Sequence, residues 1–275
     1  MGQLDNRTAL VTGGTSGIGL AAARALAAEG AHVFVTGRRQ DALDAAVAAI
    51  EQETAALVAR DPALAPAGRA STAVAAGGHV TGIRADVADH GDLDRVMDAV
   101  RDRGTGLDIV FANAGGGGFA ALEDITWEHF ADTFHTNVGG TLFTVQKALP
   151  LLNPGASVIV TSSNIDVKGA AAFSVYAASK AALRSFTRSW AAELAGRRVR
   201  VNSIAPGPIE TPGLSGLAPD PAAAEQLLKQ LAAGVPMNRL GRPEEIADAV
   251  VFLASDRSSF MTGAELYVDG GASQI

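Results

Sequence analysis

A tyrosine and a lysine four positions apart are the residues of this sequence best placed for acid–base chemistry. Tyr176 and Lys180 enclose the run Tyr-Ala-Ala-Ser-Lys, and on a helix this spacing puts both side chains on one face. A cation a few Å away favours the phenolate and lowers the pKa of a phenol from its ordinary value of about 10. Tyr176 is therefore a candidate general acid or base. Taken alone, such a pair is more often a packed ring beside a solvated amine, so other stretches must support this interpretation.

A run of glycines follows the first apolar segment of the chain. Residues 12–19 read Thr-Gly-Gly-Thr-Ser-Gly-Ile-Gly, and the helix-forming residues 20–29 come next. Glycines at a turn between a strand and a helix let the backbone approach a diphosphate, and the helix N-terminus supplies N–H groups and a partial positive charge. A glycine cluster alone is often an ordinary turn. The strand before it and the helix after it favour a dinucleotide-binding turn.

Apolar segments alternate with helical ones along the whole chain. The predicted strands lie near 7–12, 31–36, 80–85, 107–112, 156–162, 199–205 and 264–268. The predicted helices lie near 17–29, 39–53, 90–103, 126–149, 174–195 and 243–254. Continuously apolar strands separated by helices indicate a parallel sheet that is covered on both faces. Since no linker interrupts the pattern, we predict a single domain over residues 1–275, an α/β doubly wound Rossmann fold with a seven-stranded parallel sheet flanked by helices.

Composition excludes several kinds of function. The 275 residues carry a formal net charge of -7, which argues against a nucleic-acid partner because phosphate binding needs clustered Lys and Arg. The absence of cysteine excludes disulfides and thiolate catalysis. The five histidines show no ligand spacing, so no metal site is predicted. No signal peptide and no membrane span are recognisable, and we expect a cytoplasmic protein that does not bind membranes.

With these motifs in place, the chain resembles the classical short-chain dehydrogenase/reductase family. That family has the glycine motif T-G-x-x-x-G-x-G and the active-site motif Y-x-x-x-K. The resemblance continues in register through further motifs: Asn113-Ala-Gly115, Asn137, Ser163 thirteen residues before Tyr176, Pro206-Gly207, and Asp269-Gly-Gly271. It covers essentially the whole chain, and several motifs in order are far more specific than any one of them.

The resemblance implies hydride exchange between a nicotinamide and a carbonyl or alcohol carbon. Tyr176 would give a proton to the nascent alkoxide or take one from the alcohol. Lys180 would hold the pKa of the tyrosine down and bind the nicotinamide ribose, and Ser163 would donate a hydrogen bond to the substrate oxygen. Asn137 would hold a water that links Lys180 to solvent. The four predicted catalytic residues are thus Asn137, Ser163, Tyr176 and Lys180.

The resemblance also implies where a dinucleotide binds. The predicted contacts share positions at or just after the carboxyl ends of strands: Gly13, Thr15, Ser16, Gly17, Ile18, Gly19, Gly37, Arg38, Arg39, Asp86, Val87, Asn113, Ala114, Gly115, Tyr176, Lys180, Pro206, Gly207, Ile209 and Thr211. Asp86 matches a position that meets the adenine ring, although an Asp after a strand is equally a turn or cap residue. The Ile209 backbone and the Thr211 hydroxyl would bind the carboxamide.

The end of the second predicted strand bears on which dinucleotide binds. NAD-specific relatives place an Asp or Glu there to accept both ribose hydroxyls, whereas this chain has Gly37 followed by Arg38 and Arg39. An arginine can meet a 2′-phosphate with a charge-assisted hydrogen bond. Ser16 departs from the basic residue that many NADP-binding relatives carry in the glycine turn. We therefore predict that NADP(H) is preferred without excluding NAD(H); the alternative is that both arginines simply begin a solvated helix.

Three functions follow from these observations. The leading one is a reductase of ketones, or dehydrogenase of secondary alcohols, that acts on a small molecule. The alternatives are a 3-oxoacyl-(acyl-carrier-protein) reductase, for which Arg239 and Arg242 would meet the acidic carrier, and a non-catalytic dinucleotide-sensing protein.

Two segments and the assembly state complete the predictions. Residues 54–78 lengthen a connection beyond the family's usual pattern and are predicted to be a surface insertion, either a helical excursion or a loop; the alternative is a contact with a partner or a neighbouring subunit. Residues 208–235 are predicted to be the substrate lid. The helix at 174–195 carries apolar residues on more than one face, which predicts a homotetramer.

Overall fold

The apolar segments of the chain form one parallel sheet. A computed structural model describes residues 2–60 and 80–275. The sheet in this part of the chain consists of β1 (Thr8–Val11), β2 (His32–Gly37), β3 (Val80–Arg84), β4 (Leu107–Ala112), β5 (Leu152–Thr161), β6 (Arg200–Pro206) and β7 (Glu265–Val268). The seven strands pair in parallel in the order β3-β2-β1-β4-β5-β6-β7. The predicted doubly wound Rossmann fold with a seven-stranded parallel sheet is confirmed.

Helices cover both faces of this sheet. They are α1 (Gly17–Ala28), α2 (Gln40–Arg60), α3 (His90–Arg103), α4 (Trp127–Phe134), α5 (Gly140–Ala148), α6 (Ser174–Leu194), α7 (Pro212–Ser215), α8 (Pro221–Ala233) and α9 (Pro243–Ala254). Successive side chains of a strand point to opposite faces. In β1, Val11 therefore lies in one apolar cluster with Leu26 of α1 and Val250 of α9. Its neighbour Leu10 lies in a second cluster with Leu183 of α6.

β1 and β4 are neighbours in the sheet, but the chain leaves them toward opposite faces. Leu26, in the helix after β1, belongs to one core cluster, and Val145, in α5 after β4, belongs to the other. Such a reversal opens a crevice at the carboxyl ends of the two strands. Thr12 crosses the base of this crevice, since its Oγ1 accepts the N–H groups of Asn113 at 3.0 Å and of Ala114 at 3.1 Å. The sheet thus places a ligand-sized gap beside the glycine turn.

The second helix is longer than predicted. We expected a helix over 39–53, whereas α2 continues to Arg60. Its extension is rich in alanine and meets no proline before Pro62, so helix propensity carries it forward; the Thr54 hydroxyl also donates to the Ile50 carbonyl at 2.8 Å. The predicted insertion at 54–78 therefore begins as a continuation of α2. Its residues 61–78 lie outside the described residues.

Two other boundaries differ from the prediction. The helix expected over 126–149 is divided into α4 and α5 by a π-helical turn, His135–Gly139. A π turn accommodates an extra residue and is frequent at functional sites; here it carries Asn137. Strand β5 begins at Leu152, which pairs with Leu107, and the register shifts before Ser157 pairs with Ile109.

Neither a membrane-spanning helix nor a metal-binding cluster occurs in residues 2–60 and 80–275. The helices described there are all too short or too polar to cross a bilayer. Within the same ranges, no three side chains of His, Cys, Asp or Glu are grouped so that they could hold a metal ion.

Candidate active site

The turn between β1 and α1 is shaped for a ligand that approaches the backbone. Gly13 has a φ of +64° and Gly17 a φ of +51°, a region that L side chains rarely adopt. A β-carbon on Gly13 would lie 2.9 Å from Cα of Ala114, and one on Gly19 would lie 2.2 Å from the carbonyl oxygen of Gly13. Side chains at these positions would fill the turn and displace β4, so glycine is required here on steric grounds.

The start of α1 leaves donors for an anion. Ser16 is the N-cap residue, but its side chain makes no capping hydrogen bond. By contrast, the N-cap side chains of Asp89, Thr126 and Asp220 each accept a backbone N–H of their helix. The first-turn N–H groups of α1, together with the positive end of the helix dipole, therefore suit a diphosphate. The residues fit the dinucleotide that the sequence motif predicts.

The loop after β6 lies across from this turn. A β-carbon on Gly17 would be 3.0 Å from Cγ2 of Thr211, which places Thr211 directly over the glycines. Thr211 also caps α7 by accepting the N–H of Leu214 at 3.1 Å. Gly207 approaches Asp269 so closely that a β-carbon would lie 2.7 Å from its Cα, and Ile209 is buried. Pro206 ends β6, so the whole predicted loop borders the crevice.

Gly37, Arg38 and Arg39 lie where β2 reaches the same edge. Gly37 is buried, and a β-carbon there would lie 2.3 Å from Cγ2 of Thr15. Any side chain at position 37, including that of Asp or Glu, would therefore press against the methyl group of Thr15. Arg38 and Arg39 are exposed.

Asp86 and Val87 follow β3 and have local contacts of their own. The Asp86 carboxylate accepts the N–H of Ala88 at 3.0 Å, as expected for a turn residue. Val87 is buried, and a β-carbon on Gly140 would lie 2.6 Å from its Cγ2. Both residues border the crevice, and the turn role of Asp86 leaves its second carboxylate oxygen for another partner.

Asn113 ties three strands together at their carboxyl ends. Its Nδ2 donates to the Thr12 carbonyl at 3.1 Å, and its Oδ1 accepts the Thr161 hydroxyl at 3.2 Å. These bonds connect β4 to β1 and β5. Ala114 and Gly115 follow in the crevice, and Gly115 is small because a β-carbon would lie 2.9 Å from Oδ1 of Asn137.

Lys180 carries an ammonium group in the interior. The residue is only 3% exposed, and its Nζ donates to the Thr161 carbonyl at 2.8 Å. Burial lowers the pKa of Lys180 to about 8, because desolvation disfavours the charged form. This lysine can therefore change charge close to neutral pH, which a solvated lysine does not.

Tyr176 differs from the expectation. We expected the neighbouring cation to lower the pKa of the phenol, but burial raises it to about 12, and a hydrogen bond with Ser163 only partly opposes the shift. Lys180 Nζ lies 5.5 Å from the ring centroid and donates to Thr161. The expected lowering is wrong for this structure, because desolvation raises the pKa of the phenol and the opposing contribution comes from Ser163 rather than from Lys180. The phenol of Tyr176 keeps its proton at neutral pH.

Asn137 is fully buried in the π-helical turn and fixes the loop after β4. Its Oδ1 accepts the N–H of Gly116 at 2.9 Å, and its Nδ2 donates to the Gly116 carbonyl at 2.8 Å and to the Ser179 hydroxyl at 2.9 Å. The amide thus joins the loop after β4 to α6, one residue before Lys180. The predicted water link is not among these contacts and stays a prediction.

The turn that carries Ser163 is anchored from behind. The Ser162 hydroxyl donates to Asp166 at 3.0 Å, and the Tyr267 hydroxyl meets both Asp166 and Glu265, at 3.3 and 3.1 Å. Glu265 also pairs with Arg184 at 2.9 Å. Burial, and then the charge of Asp166, raises the pKa of Glu265. The opposite side of the Ser163 turn is therefore held by a network of charged groups.

Sequence reasoning did not identify several of these supporting residues. Thr12, Thr161, Asp166 and Ser179 are hydroxyl and carboxyl residues of common types, and their partners lie 3 to 102 positions away. The only signal available was that Thr12 and Thr161 stand at the ends of predicted strands. The structure does bring together all four predicted catalytic residues at the carboxyl ends of β4 and β5 and the start of α6.

A glycine turn at the start of a helix, beside a buried lysine and a phenol on a doubly wound sheet, is typical of dinucleotide-dependent oxidoreductases. The sequence matches the family model described as short chain dehydrogenase over residues 7–75, and the one described as Enoyl-(Acyl carrier protein) reductase over residues 44–273. The chain belongs to the short-chain dehydrogenase/reductase family. It is accordingly an oxidoreductase of CH–OH or carbonyl groups, from a family that binds nicotinamide dinucleotides.

Similar proteins extend over nearly the full chain. Oxidoreductase asL5 of Sarocladium schorii is 42% identical over 99% of this chain and 98% of its own length. Versicolorin reductase 1 of Dothistroma septosporum is 33% identical over 98% and 97% of the two chains. The crystal structure of levodione reductase superposes with a TM-score of 0.86 at 29% identity, covering 98% of each chain.

The buried ammonium of Lys180 predicts an unusual dependence of stability on pH. The folded-state pKa is depressed to about 8 from an ordinary value of 10.5, so between these values the unfolded chain binds more protons and the free energy of unfolding rises with pH. From pH 7.5 to 9.5 the rise from this group should be about 2 kcal/mol. Urea unfolding at both pH values measures it.

Lys180→Met should abolish that rise, whereas the exposed Lys229→Met should keep it. Lys229 is the matched control because it is 74% exposed and pairs only with Glu225. An equal rise in the wild type and in Lys180→Met would contradict the assignment of the effect to this lysine.

Proposed function

We propose that this protein is a ketone reductase, or secondary-alcohol dehydrogenase, that prefers NADP(H) and uses Tyr176 as the general acid or base. The proposal depends on one observation, the convergence of Ser163, Tyr176 and Lys180 beside the glycine turn. The Ser163 hydroxyl lies close enough to the Tyr176 phenol to lower its pKa, so both can meet one substrate oxygen. When bound, the nicotinamide supplies or accepts the hydride.

The proton state of Tyr176 favours the reductive direction. With a pKa of about 12, the phenol holds its proton at neutral pH and acts as an acid. As the substrate carbonyl oxygen gains negative charge, Ser163 donates a hydrogen bond to it and Tyr176 transfers its proton. The phenolate that results is stabilised when Lys180 is charged, and the pKa of about 8 keeps most of Lys180 protonated at pH 7.

Asn137 is a positioning residue in this scheme. It holds Gly116 and Ser179, and Ser179 in turn donates to the carbonyl of Tyr176 at 2.7 Å. The bonds fix the start of α6, from which the phenol and the amine project. A rigid support of this kind matters because a displacement of about 1 Å in a reacting group can lower the rate about 10²-fold.

The preference for NADP(H) is supported by the end of β2. The clash of any side chain at Gly37 with Thr15 keeps out the carboxylate that would bind two ribose hydroxyls. The exposed guanidinium groups of Arg38 and Arg39 offer bidentate partners for a 2′-phosphate. Since Ser16 adds no second charge, NAD(H) is accepted less well rather than excluded.

The alternatives receive less support. An acidic carrier protein would need free basic residues near the site, but Arg239 forms a two-bond pair with Glu245, at 2.8 and 2.6 Å, and Arg242 also faces that carboxylate at 3.8 Å. A dinucleotide sensor has no need of a complete Ser, Tyr and Lys set. We therefore keep the reductase of small-molecule ketones as the proposed function.

Residues 208–235 are proposed as the substrate lid. They contain α7 and α8, and no residue of α8 is buried. Leu227, Leu228 and Leu231 are half-buried, so the helix offers an apolar side without being locked into the core. A segment with so few buried groups is suited to opening and closing over a substrate.

We also propose a homotetramer in a cytoplasmic setting. The apolar residues of α6 support this less than expected, because Leu183, Phe186 and Trp190 pack against the core of their own subunit. The stronger support is an aromatic patch on α4, where the rings of Trp127 and Phe130 lie 5.4 Å apart and Trp127 is 74% exposed. Contiguous exposed aromatic rings mark interaction surfaces.

Tyr176→Phe tests the proton-transfer role. Loss of a general acid should lower kcat by roughly 10²- to 10⁴-fold, while fluorescence titration with NADPH should show nearly unchanged cofactor affinity. Tyr267→Phe, at the other tyrosine of the chain, is the comparison: its phenol supports the Ser163 turn through Asp166 but has no proposed part in proton transfer, so kcat should fall much less than in Tyr176→Phe. Near-normal kcat in Tyr176→Phe would remove the phenol from the reaction.

Arg38→Asp tests the dinucleotide preference. Loss of one charge-assisted hydrogen bond, worth about 1.5–3 kcal/mol, should raise KM for NADPH roughly 10- to 100-fold, and KM for NADH should change little. Arg257→Asp, an exposed arginine before β7, should alter neither value. A wild-type kcat/KM higher for NADH than for NADPH on the same substrate would overturn the preference.

Light scattering tests the assembly. The wild type should elute with about four times the 27.9 kDa mass of one chain, and Trp127→Ala should give smaller particles with an unchanged circular dichroism spectrum. A wild-type particle of one chain at micromolar concentration would refute the tetramer.

A further inference from the structure

Three aromatic rings form a row that leads from Tyr176 toward solvent. The ring of Phe173 stacks on Tyr176 with centroids 4.6 Å apart and planes inclined by 25°. The ring of Phe119 meets Phe173 at 4.7 Å and 36°. Tyr176 and Phe173 are half-buried, whereas Phe119 is 49% exposed. Since exposure increases away from the phenol, the row runs outward along the approach to the site.

The two segments that carry this row are chemically uniform. Residues 115–121 read Gly-Gly-Gly-Gly-Phe-Ala-Ala, and residues 169–173 read Gly-Ala-Ala-Ala-Phe. They follow β4 and β5, and the N–H of Ala120 donates to the carbonyl of Ala172 at 2.8 Å, which joins them. No side chain in either segment has a charge or a hydrogen-bonding group. The side chains of these walls therefore offer a substrate apolar contact and aromatic faces; a polar side chain beside them is that of His129, whose Cε1 would lie 3.5 Å from a β-carbon on Gly118.

The glycines bring bare backbone close to the row. A β-carbon on Gly117 would lie 2.6 Å from Cδ2 of Tyr176, so the backbone packs directly against the phenol ring there. A β-carbon on Gly116 would meet no atom within 4 Å. A row of rings flanked by bare backbone is suited to a flat molecule, because aromatic rings associate in offset-stacked or edge-to-face arrangements with centroids about 4.5–7 Å apart.

We propose that Phe119 and Phe173 determine specificity and that the substrate is an uncharged ketone whose carbonyl is joined to a planar aromatic ring system that lies against this row. The inference rests on the proposed function, since Tyr176 fixes where the carbonyl oxygen lies. Charged substrates are disfavoured because these walls supply no counter-charge. Polyhydroxylated substrates are disfavoured because their hydroxyls would lose water without gaining partners from these walls.

The test compares 1-tetralone with 1-decalone, which share a fused bicyclic skeleton and a ketone but differ in aromaticity. The measured quantity is the ratio of their kcat/KM values with NADPH. The variants are Phe119→Leu and Phe173→Leu, which keep an apolar side chain and remove the ring. Phe260→Leu is the matched control, because Phe260 is fully exposed before β7, at the amino end of the sheet.

Loss of an aromatic stack should lower the tetralone-to-decalone ratio about 3- to 10-fold in Phe119→Leu, and Phe260→Leu should leave it unchanged. Because each ratio is compared with that of the wild type, the different intrinsic reactivities of the ketones cancel. Phe119 is half-exposed, so this variant is the safer of the two for folding. An unchanged ratio in both Phe119→Leu and Phe173→Leu would overturn the proposal while leaving the reductase function intact.

A binding measurement separates the two proposals if neither ketone is reduced. Calorimetry would then compare 1-tetralol with 1-decalol on the NADP-loaded wild type and Phe119→Leu. Tighter binding of 1-tetralol that is lost in the variant would support the aromatic row while the reductase proposal fails. Equal affinities of the two alcohols for the wild type would overturn the aromatic row.

Discussion

The site is organised around a positive charge that is kept out of water. Lys180 is only 3% exposed, and its Nζ donates to one backbone carbonyl, that of Thr161. Burying an ammonium costs free energy that must be offset by fixed partners. The end of β5 supplies the Thr161 carbonyl as one such partner, and Asn137 of the π-helical turn holds Ser179 of α6 next to the lysine. The same burial lowers the pKa of the amine to about 8. The amine also lies 5.5 Å from the centre of the Tyr176 ring.

The connections after β1 and β4 leave toward opposite faces of the sheet, and this provides the second constraint. Asn113 donates two hydrogen bonds to Thr12 across the gap, and it also accepts the hydroxyl of Thr161 of β5. Through this chain of contacts, the glycine turn and the carbonyl that holds Lys180 belong to one rigid unit. A bound dinucleotide and the acid–base pair thus have a fixed relation that does not depend on flexible loops.

Sequence patterns were sufficient for the fold, and they predicted the residues that are proposed to carry the chemistry. Continuous apolar strands led to the parallel sheet, and the spacing of Ser163, Tyr176 and Lys180 placed them at one edge of it. The patterns did not reveal the pKa of Tyr176, because desolvation depends on what packs around the ring and not on its neighbour four positions away. The division of the helix around Asn137 was also hidden, since a π turn leaves no periodic signature in so short a segment. Thr12 and Ser179 contact Asn113 and Asn137, which are distant in sequence. A single sequence does not show which distant residues lie next to each other.

The absence of buried residues in α8 has a consequence for how this protein can evolve. Substitutions in a helix that contributes little to the core change the free energy of folding only slightly. New side chains can therefore be tried in α8 while the sheet, the lysine and the glycine turn stay as they are. As part of the lid proposed above, α8 is a place where specificity can change without a compensating mutation elsewhere.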